Sequence, residues 1–397
     1  MPINYTGQMI PRYHPQISLW DIFQACLAGK TEHKPSLPWL HSRENTNCLF
    51  WLNSATTGLV IMLRSLGLPK GSGVAVSVYS CVTVFEAITA AELKCVFIDV
   101  DPATYSFDMD SLREKSSQYD AAILIHTFGF PGDITAVKQI LSDRPVIEDC
   151  SHAFGSMSPN GYVGLNGVAG IFSFNYHKPV SAGGGGLLVV NDMKYISTVK
   201  QIVKTISKNS NNVNFKHIVK HIAIAILYRC PWYGIMASTG LLSLKREGAL
   251  RRQVKPGIIS QLDKNLLVKR IMHINQRFTS QRNFIRKISE AIGSITPIDN
   301  FLYAESQWNG YLCPIIVDTP LKQKKSLNFF HVHNIDAFVL WPECLRTARR
   351  FGYQSGQCPR LEHSLKRMFM LPCYAELKSR QQKYICDIAK KWKVYIS

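Results

Sequence analysis

Acidic residues are scarce in this chain: 27 Asp and Glu stand against 46 Lys and Arg, leaving a formal charge of +19. Such an excess attracts an anionic partner, whether nucleic acid, a phospholipid surface or a phosphorylated substrate. No nucleic-acid recognition motif accompanies the charge, so nucleic acid is not an expected partner. The opening stretch MPINYTGQMIPRYHPQISLW lacks a basic segment leading into an apolar one. No signal peptide is read there, and a cytoplasmic protein is expected. The eleven cysteines include no CxxC pair and no repeated His/Cys spacing of the kind zinc requires. They are expected as reduced, mostly buried thiols, with no metal site. Internal repeats and low-complexity tracts are absent as well.

At 397 residues and 46% hydrophobic content, the chain is long enough to bury a large core in two lobes. From about residue 49 to residue 192, short apolar runs alternate with helical patterns. The runs are GVAVSV (73–78), KCVFIDV (94–100), AAILIH (121–126), RPVIED (144–149), AGIFSF (169–174) and GGLLVVND (185–192). With GLVIMLRSLGL and ITAVKQIL as helices between them, they imply an α/β fold with a mostly parallel central sheet and helices on both faces. Ligands bind such sheets beyond the carboxyl ends of the strands.

Several polar residues fall at those ends. Asp149 follows PVIE, Ser173 ends the next run, and Lys178 follows shortly before four consecutive glycines. NSATTG (53–58) opens a helix whose free N–H groups suit a phosphate, although the same residues could simply cap that helix. A lysine beside a strand end in apolar surroundings has a lowered pKa, and its neutral amine can form a Schiff base. On position alone it reads first as a surface loop lysine. A carboxylate such as Asp149 suits a cationic ring nitrogen, or it could cap a helix beginning EDCSHAF. The glycine run precedes a strand instead of a helix, which argues against a dinucleotide-binding loop.

Taken in order, NSATTG, VIEDCSHAFGS and FSFNYHKPVSAGGGG resemble the DegT/DnrJ/StrS family of pyridoxal-phosphate sugar aminotransferases, a fold type I group. The corresponding family segments look like SGTAAL, VIEDAAQAFGA and FSFYPTKNLGAGGDGG. DVDPATYSFDMDSL, IHTFGFPGDI and the C-terminal MFMLPCYAELKSRQQKYICDIAKKW are similar to family segments too. The resemblance implies pyridoxal 5′-phosphate as cofactor, with Lys178 as the lysine that carries it and Asp149 as the carboxylate on its ring nitrogen. It implies Ser173 with Ala55 and Thr56 as the phosphate grip. It also implies an amino-acid donor, glutamate, a nucleotide-linked keto-sugar acceptor and a homodimer.

The chain departs from the family at identifiable places. His152 stands where a glutamine is usual, and an imidazole can also donate there. Cys81 replaces the aromatic that stacks on the cofactor ring, with Tyr79 expected on the same side of a strand as a substitute. The family's intersubunit NYRMSNLQ is here KPGIISQLD, without its Asn and Arg, and the N-terminal SGWLTTGP-like element is rewritten as AGKTEHKPS. His177 is read as a neighbour of the lysine, not its replacement.

The division expected is a large cofactor-binding domain with its N-terminal segment over 1–192, a basic and apolar insertion over 193–256, a connecting helix, whole or broken, over 257–295, and a small α+β domain over 296–397. The insertion carries twelve Lys and Arg against one acid, Glu247, around HIAIAILYRCPWYGIMASTGLLSL. Two readings of it stay open: a peripheral contact with the inner membrane surface, or packing at a dimer interface. Two alternatives also stay open for the whole: a sugar dehydratase or other lyase on the same cofactor, and a non-catalytic, membrane-associated component of a polysaccharide pathway.

Overall fold

Apolar runs of four or five residues, too short for helices, pair into one sheet. A computed structural model describes residues 9–29, 48–207, 215–238, 254–272, 274–293 and 307–396. Its main sheet contains β1 (Leu49–Leu52), β2 (Gly73–Ser77), β3 (Lys94–Ile98), β4 (Ala121–Ile125), β5 (Val146–Asp149), β8 (Ala169–Ser173) and β9 (Gly186–Val190), in the order β1-β9-β8-β5-β4-β2-β3. The short strands β6 (Met157–Ser158) and β7 (Gly161–Tyr162) form a separate hairpin. β9 alone runs against its neighbours; every other adjacent pair is parallel. The expected runs thus became strands, and β1 is one the periodicity did not single out.

Alternate residues of each strand enter different clusters, which explains why the strands are apolar throughout. Val74, Val76, Ile123, Ile171 and Leu188 face a large core shared with the Ala55–Ser65 and Val82–Ala90 helices. Ala75, Ala122 and Leu124 face the Ile134–Leu141 helix, and Phe172, Leu187 and Val189 face the Leu19–Leu27 and Gln261–Ile271 helices.

The antiparallel pair β10 (Cys313–Ile316) and β11 (Met368–Leu371) carries the Pro320–Val332 and Ser379–Ile396 helices, a smaller α+β arrangement. IDAFVLW contributes only isolated bridges, Ile335 to Ile10 and Phe338 to Met370. The connecting helix over 257–295 is broken into Gln261–Ile271 and Ile274–Ile292. The two pieces serve different partners: the first packs on Leu19–Leu27, the second on Ser379–Ile396.

The 193–256 insertion begins as part of the main core. Its Ile196–Ser207 helix packs on Ala55–Ser65 and buries Ile196 and Val199. The Phe215–Leu227 and Trp232–Ser238 helices follow, and the second is tied down where the Tyr233 hydroxyl donates to buried Asp336. Among the described residues no helix is long and apolar enough to cross a membrane. Residues 30–47 and 239–253, which include most of AGKTEHKPS and the basic cluster 245–252, lie outside the described residues.

Candidate active site

Because β5 and β8 run parallel side by side, their final residues, Asp149 and Ser173, emerge at the same edge of the sheet. The chain then turns tightly, with the Lys178 amide donating to the Asn175 carbonyl at 3.0 Å. Gln16 holds this turn from outside: its amide donates to Pro179 O at 2.9 Å, and its Oε1 accepts from the Ser181 amide at 3.0 Å. The Tyr311 hydroxyl also donates to the His177 carbonyl. His177 is a neighbour, as read, packing at a ring-centroid distance of 4.8 Å from Tyr13.

The Ala55–Ser65 helix begins at the same edge. Ser54 caps it in extended conformation, its hydroxyl accepting from the Thr57 amide at 3.1 Å, so the N–H groups of Ala55 and Thr56 have no helical carbonyl to meet. β9 passes directly beneath this start. A Cβ on Gly186 would overlap Ser54 and the Ala55 nitrogen, so glycine is required there for backbone to cross backbone.

These ends enclose a cavity of about 470 Å³. Ala55, Thr56, Cys81, Asp149, His152, Ser173 and Lys178 all line it. Asp149 is buried, and its Oδ1 accepts the Ser151 amide at 2.9 Å; the residues after it form turns, so it caps no helix. Tyr79 does not line the cavity. It is fully buried among Tyr105, Phe128 and Trp341, and its hydroxyl donates to Leu340 O at 2.9 Å. The expectation failed because β2 ends at Ser77: residues 78–80 bend, Cys81 caps the next helix, and strand alternation no longer relates 79 to 81.

Burial pushes the Lys178 ammonium below its ordinary pKa, opposed by the neighbouring Cys81 and Asp149. Part of the population therefore becomes neutral amine closer to physiological pH. Burial holds His152 well below its ordinary value, and the Lys178 charge adds to this. His152 is thus a neutral imidazole whose buried Nδ1 has no partner. It stacks on Trp341 at 5.2 Å with an interplanar angle of 20°.

Sequence reading missed several wall residues. Trp341 arrives from beyond β10, and His217, Lys220, Ser260 and Asp263 come from the insertion and the segment after it. KPGIISQLD runs along the edge of β1, the Ile259 amide donating to Trp51 O and the Asn53 amide to Gly257 O. The HxxxH spacing of His217 and His221 was the available signal for part of this wall; nothing local marked Trp341.

Pyridoxal 5′-phosphate fits this cavity by the chemistry of its walls. Free N–H groups at a helix start and the Ser173 hydroxyl suit a phosphate, a buried carboxylate suits a ring nitrogen, and the unpartnered His152 nitrogen suits a ring oxygen. Comparison with known proteins agrees on the lineage. GDP-perosamine synthase of Escherichia coli O157:H7 is 31% identical over 144 residues, which cover 36% of this chain and 40% of that protein. The pleiotropic regulatory protein of Geobacillus stearothermophilus is 25% identical over 346 residues, covering 82% of this chain and 80% of that one. In fold, the PLP-form of the sugar aminotransferase Spr1654 of Streptococcus pneumoniae superposes with a TM-score of 0.75 at 15% identity, over 98% of this chain and 100% of that one. Residues 45–390, which hold every wall residue named above, match the model of one family. The chain belongs to the DegT/DnrJ/EryC1/StrS aminotransferase family.

Proposed function

We propose that the protein is a pyridoxal-phosphate-dependent aminotransferase that moves an amino group from an amino acid, glutamate, to a nucleotide-linked keto-sugar in amino-sugar and cell-surface polysaccharide biosynthesis. The observation that carries this reading is one cavity in which a lysine made less basic by burial meets a buried carboxylate and a helix start. Family membership supports it.

When bound, the cofactor supplies an electron sink for the electrons left as substrate loses its α-proton. Lys178 would hold it through the side-chain nitrogen, and the same amine would move the proton as base and then acid, a role its lowered pKa suits. Asp149 keeps the ring nitrogen protonated. The amides of Ala55 and Thr56, the Thr56 hydroxyl and Ser173 hold the phosphate. His152, with its buried Nδ1 unpartnered, would hold the ring oxygen, and Trp341 would supply the aromatic surface that Cys81 lacks.

The protein acts as a homodimer in the cytoplasm. Leu19, Trp20 and Phe23, on a helix packed against Phe215–Leu227, are exposed together with Phe215, Trp232 and Ile235, an apolar face suited to a second copy. Peripheral membrane contact is the second reading, favoured by the lysines beside the same face. Wild-type protein that does not co-sediment with anionic vesicles eliminates it, and co-sedimentation lost when Trp20 and Trp232 are changed to serine supports it.

The activity is tested by adding glutamate to the cofactor-loaded protein. Loss of the visible absorbance with formation of 2-oxoglutarate and aminated cofactor supports transamination. Unchanged absorbance and no oxo acid from any donor contradict it and favour a lyase.

A further inference from the structure

His217 and His221 stand four apart on the Phe215–Leu227 helix and so project from one face. That face meets Asp263, at the start of the Gln261–Ile271 helix. His217 Nε2 lies 3.0 Å from Asp263 Oδ2 and His221 Nε2 lies 2.9 Å from Asp263 Oδ1. One ligand atom from each of the three lies within 4.8 Å of the others. His221 is fully buried and Asp263 nearly so, while His217 and Asp263 line the cavity.

The ligand atoms of this cluster are held in place. His221 Nδ1 lies 2.8 Å from the His217 carbonyl, which can only accept, so Nδ1 carries a proton and Nε2 is the nitrogen turned to Asp263. Tyr176 adds its hydroxyl 3.2 Å from the same Nδ1, and the Ser260 hydroxyl donates to Asp263 Oδ2 at 2.8 Å. His221 and Asp263 are thus each oriented by a further contact, as metal-binding histidines and carboxylates usually are.

The other such cluster among the described residues, His126, Glu148 and Cys150, has no carboxylate position to spare. Glu148 already accepts from the amides of Gly164, Asn166 and Gly167 and from His126 Nε2, leaving no lone pair to offer an ion.

We propose that His217, His221 and Asp263 bind a divalent transition-metal ion of the zinc class, which fastens the Phe215–Leu227 helix to the wall of the cavity. Two imidazoles and a carboxylate are a donor set zinc accepts, at about 2.0–2.2 Å from each atom. The remaining coordination positions open toward the cavity, on the side lined by His217 and Asp263. Sequence reading saw no metal site because Asp263 follows His221 by 42 residues, outside any local spacing rule.

The test uses the protein as purified, equilibrated with zinc and passed through gel filtration, with metal measured by mass spectrometry. Wild type retains one zinc per chain. His217→Gln, a half-buried position chosen to spare the fold, and Asp263→Asn bind at least about tenfold more weakly. Cobalt substitution gives visible d–d bands in wild type that His217→Gln lacks. A wild type that emerges with no more zinc than His217→Gln, or a cobalt-treated protein without those bands, overturns the proposal. Both readouts are independent of pyridoxal phosphate and of transamination.

Discussion

Gly183 lies against the imidazole of His221 so closely that a Cβ on it would overlap Nε2. Its φ of +87° is also one that side-chain-bearing residues rarely adopt. The four-glycine run of the sequence is therefore shaped by what lies above it. Gly183 admits His221, and Gly186 admits the start of the phosphate-binding helix. Gly183→Ala is expected to cost about 1–3 kcal/mol, from backbone strain and displacement of the imidazole. Thermal denaturation of purified protein checks this, and an unchanged melting temperature contradicts the packing described.

Asp149→Asn keeps the shape of the site and removes the charge that holds a ring nitrogen protonated. It is expected to retain cofactor, judged by visible absorbance, while kcat falls about 10²–10³-fold. Equal losses of binding and turnover would place Asp149 in the scaffold instead.

His152 gives a pH dependence whose sign is fixed by its burial. The folded protein holds this imidazole neutral, with a pKa well below the ordinary 6.5. The unfolded chain therefore binds the extra proton first as pH falls, and stability contributed by the neutral ring is lost below about pH 6.5, by up to ~1.4 kcal/mol per unit. Cofactor-free wild type should lose more stability between pH 7 and pH 5 than His152→Gln, measured by urea denaturation at both pH values.

Trp341 stacks on His152 and packs on Tyr79 at 5.3 Å. Trp341→Ala is expected to weaken cofactor binding about 5–10-fold, the worth of one aromatic contact. Trp341→Phe should recover most of it. Equilibrium titration with pyridoxal phosphate separates the two.

Much of this site was legible because its parts lie at strand ends, where a one-dimensional pattern marks a three-dimensional edge. Asp149, Ser173 and Lys178 follow apolar runs directly, and Ala55 and Thr56 follow a capping serine. Tyr79 was misplaced because apolar alternation was carried past the end of β2 into a bend. Trp341 and Asp263 were not legible as site residues, since tertiary packing alone brings them to the cavity, and His217 had only its HxxxH spacing with His221 to mark it. The helix break in 257–295 was left open for a related reason: apolar residues continue through both halves, and only their different partners separate them.

The central claim is that Lys178 carries the cofactor. Borohydride reduction of the protein equilibrated with pyridoxal phosphate, followed by peptide mass mapping, tests it most directly. One pyridoxyl group per chain on the peptide containing Lys178, absent from Lys178→Ala, is the result predicted. An unlabelled chain, or a label confined to another lysine, contradicts it.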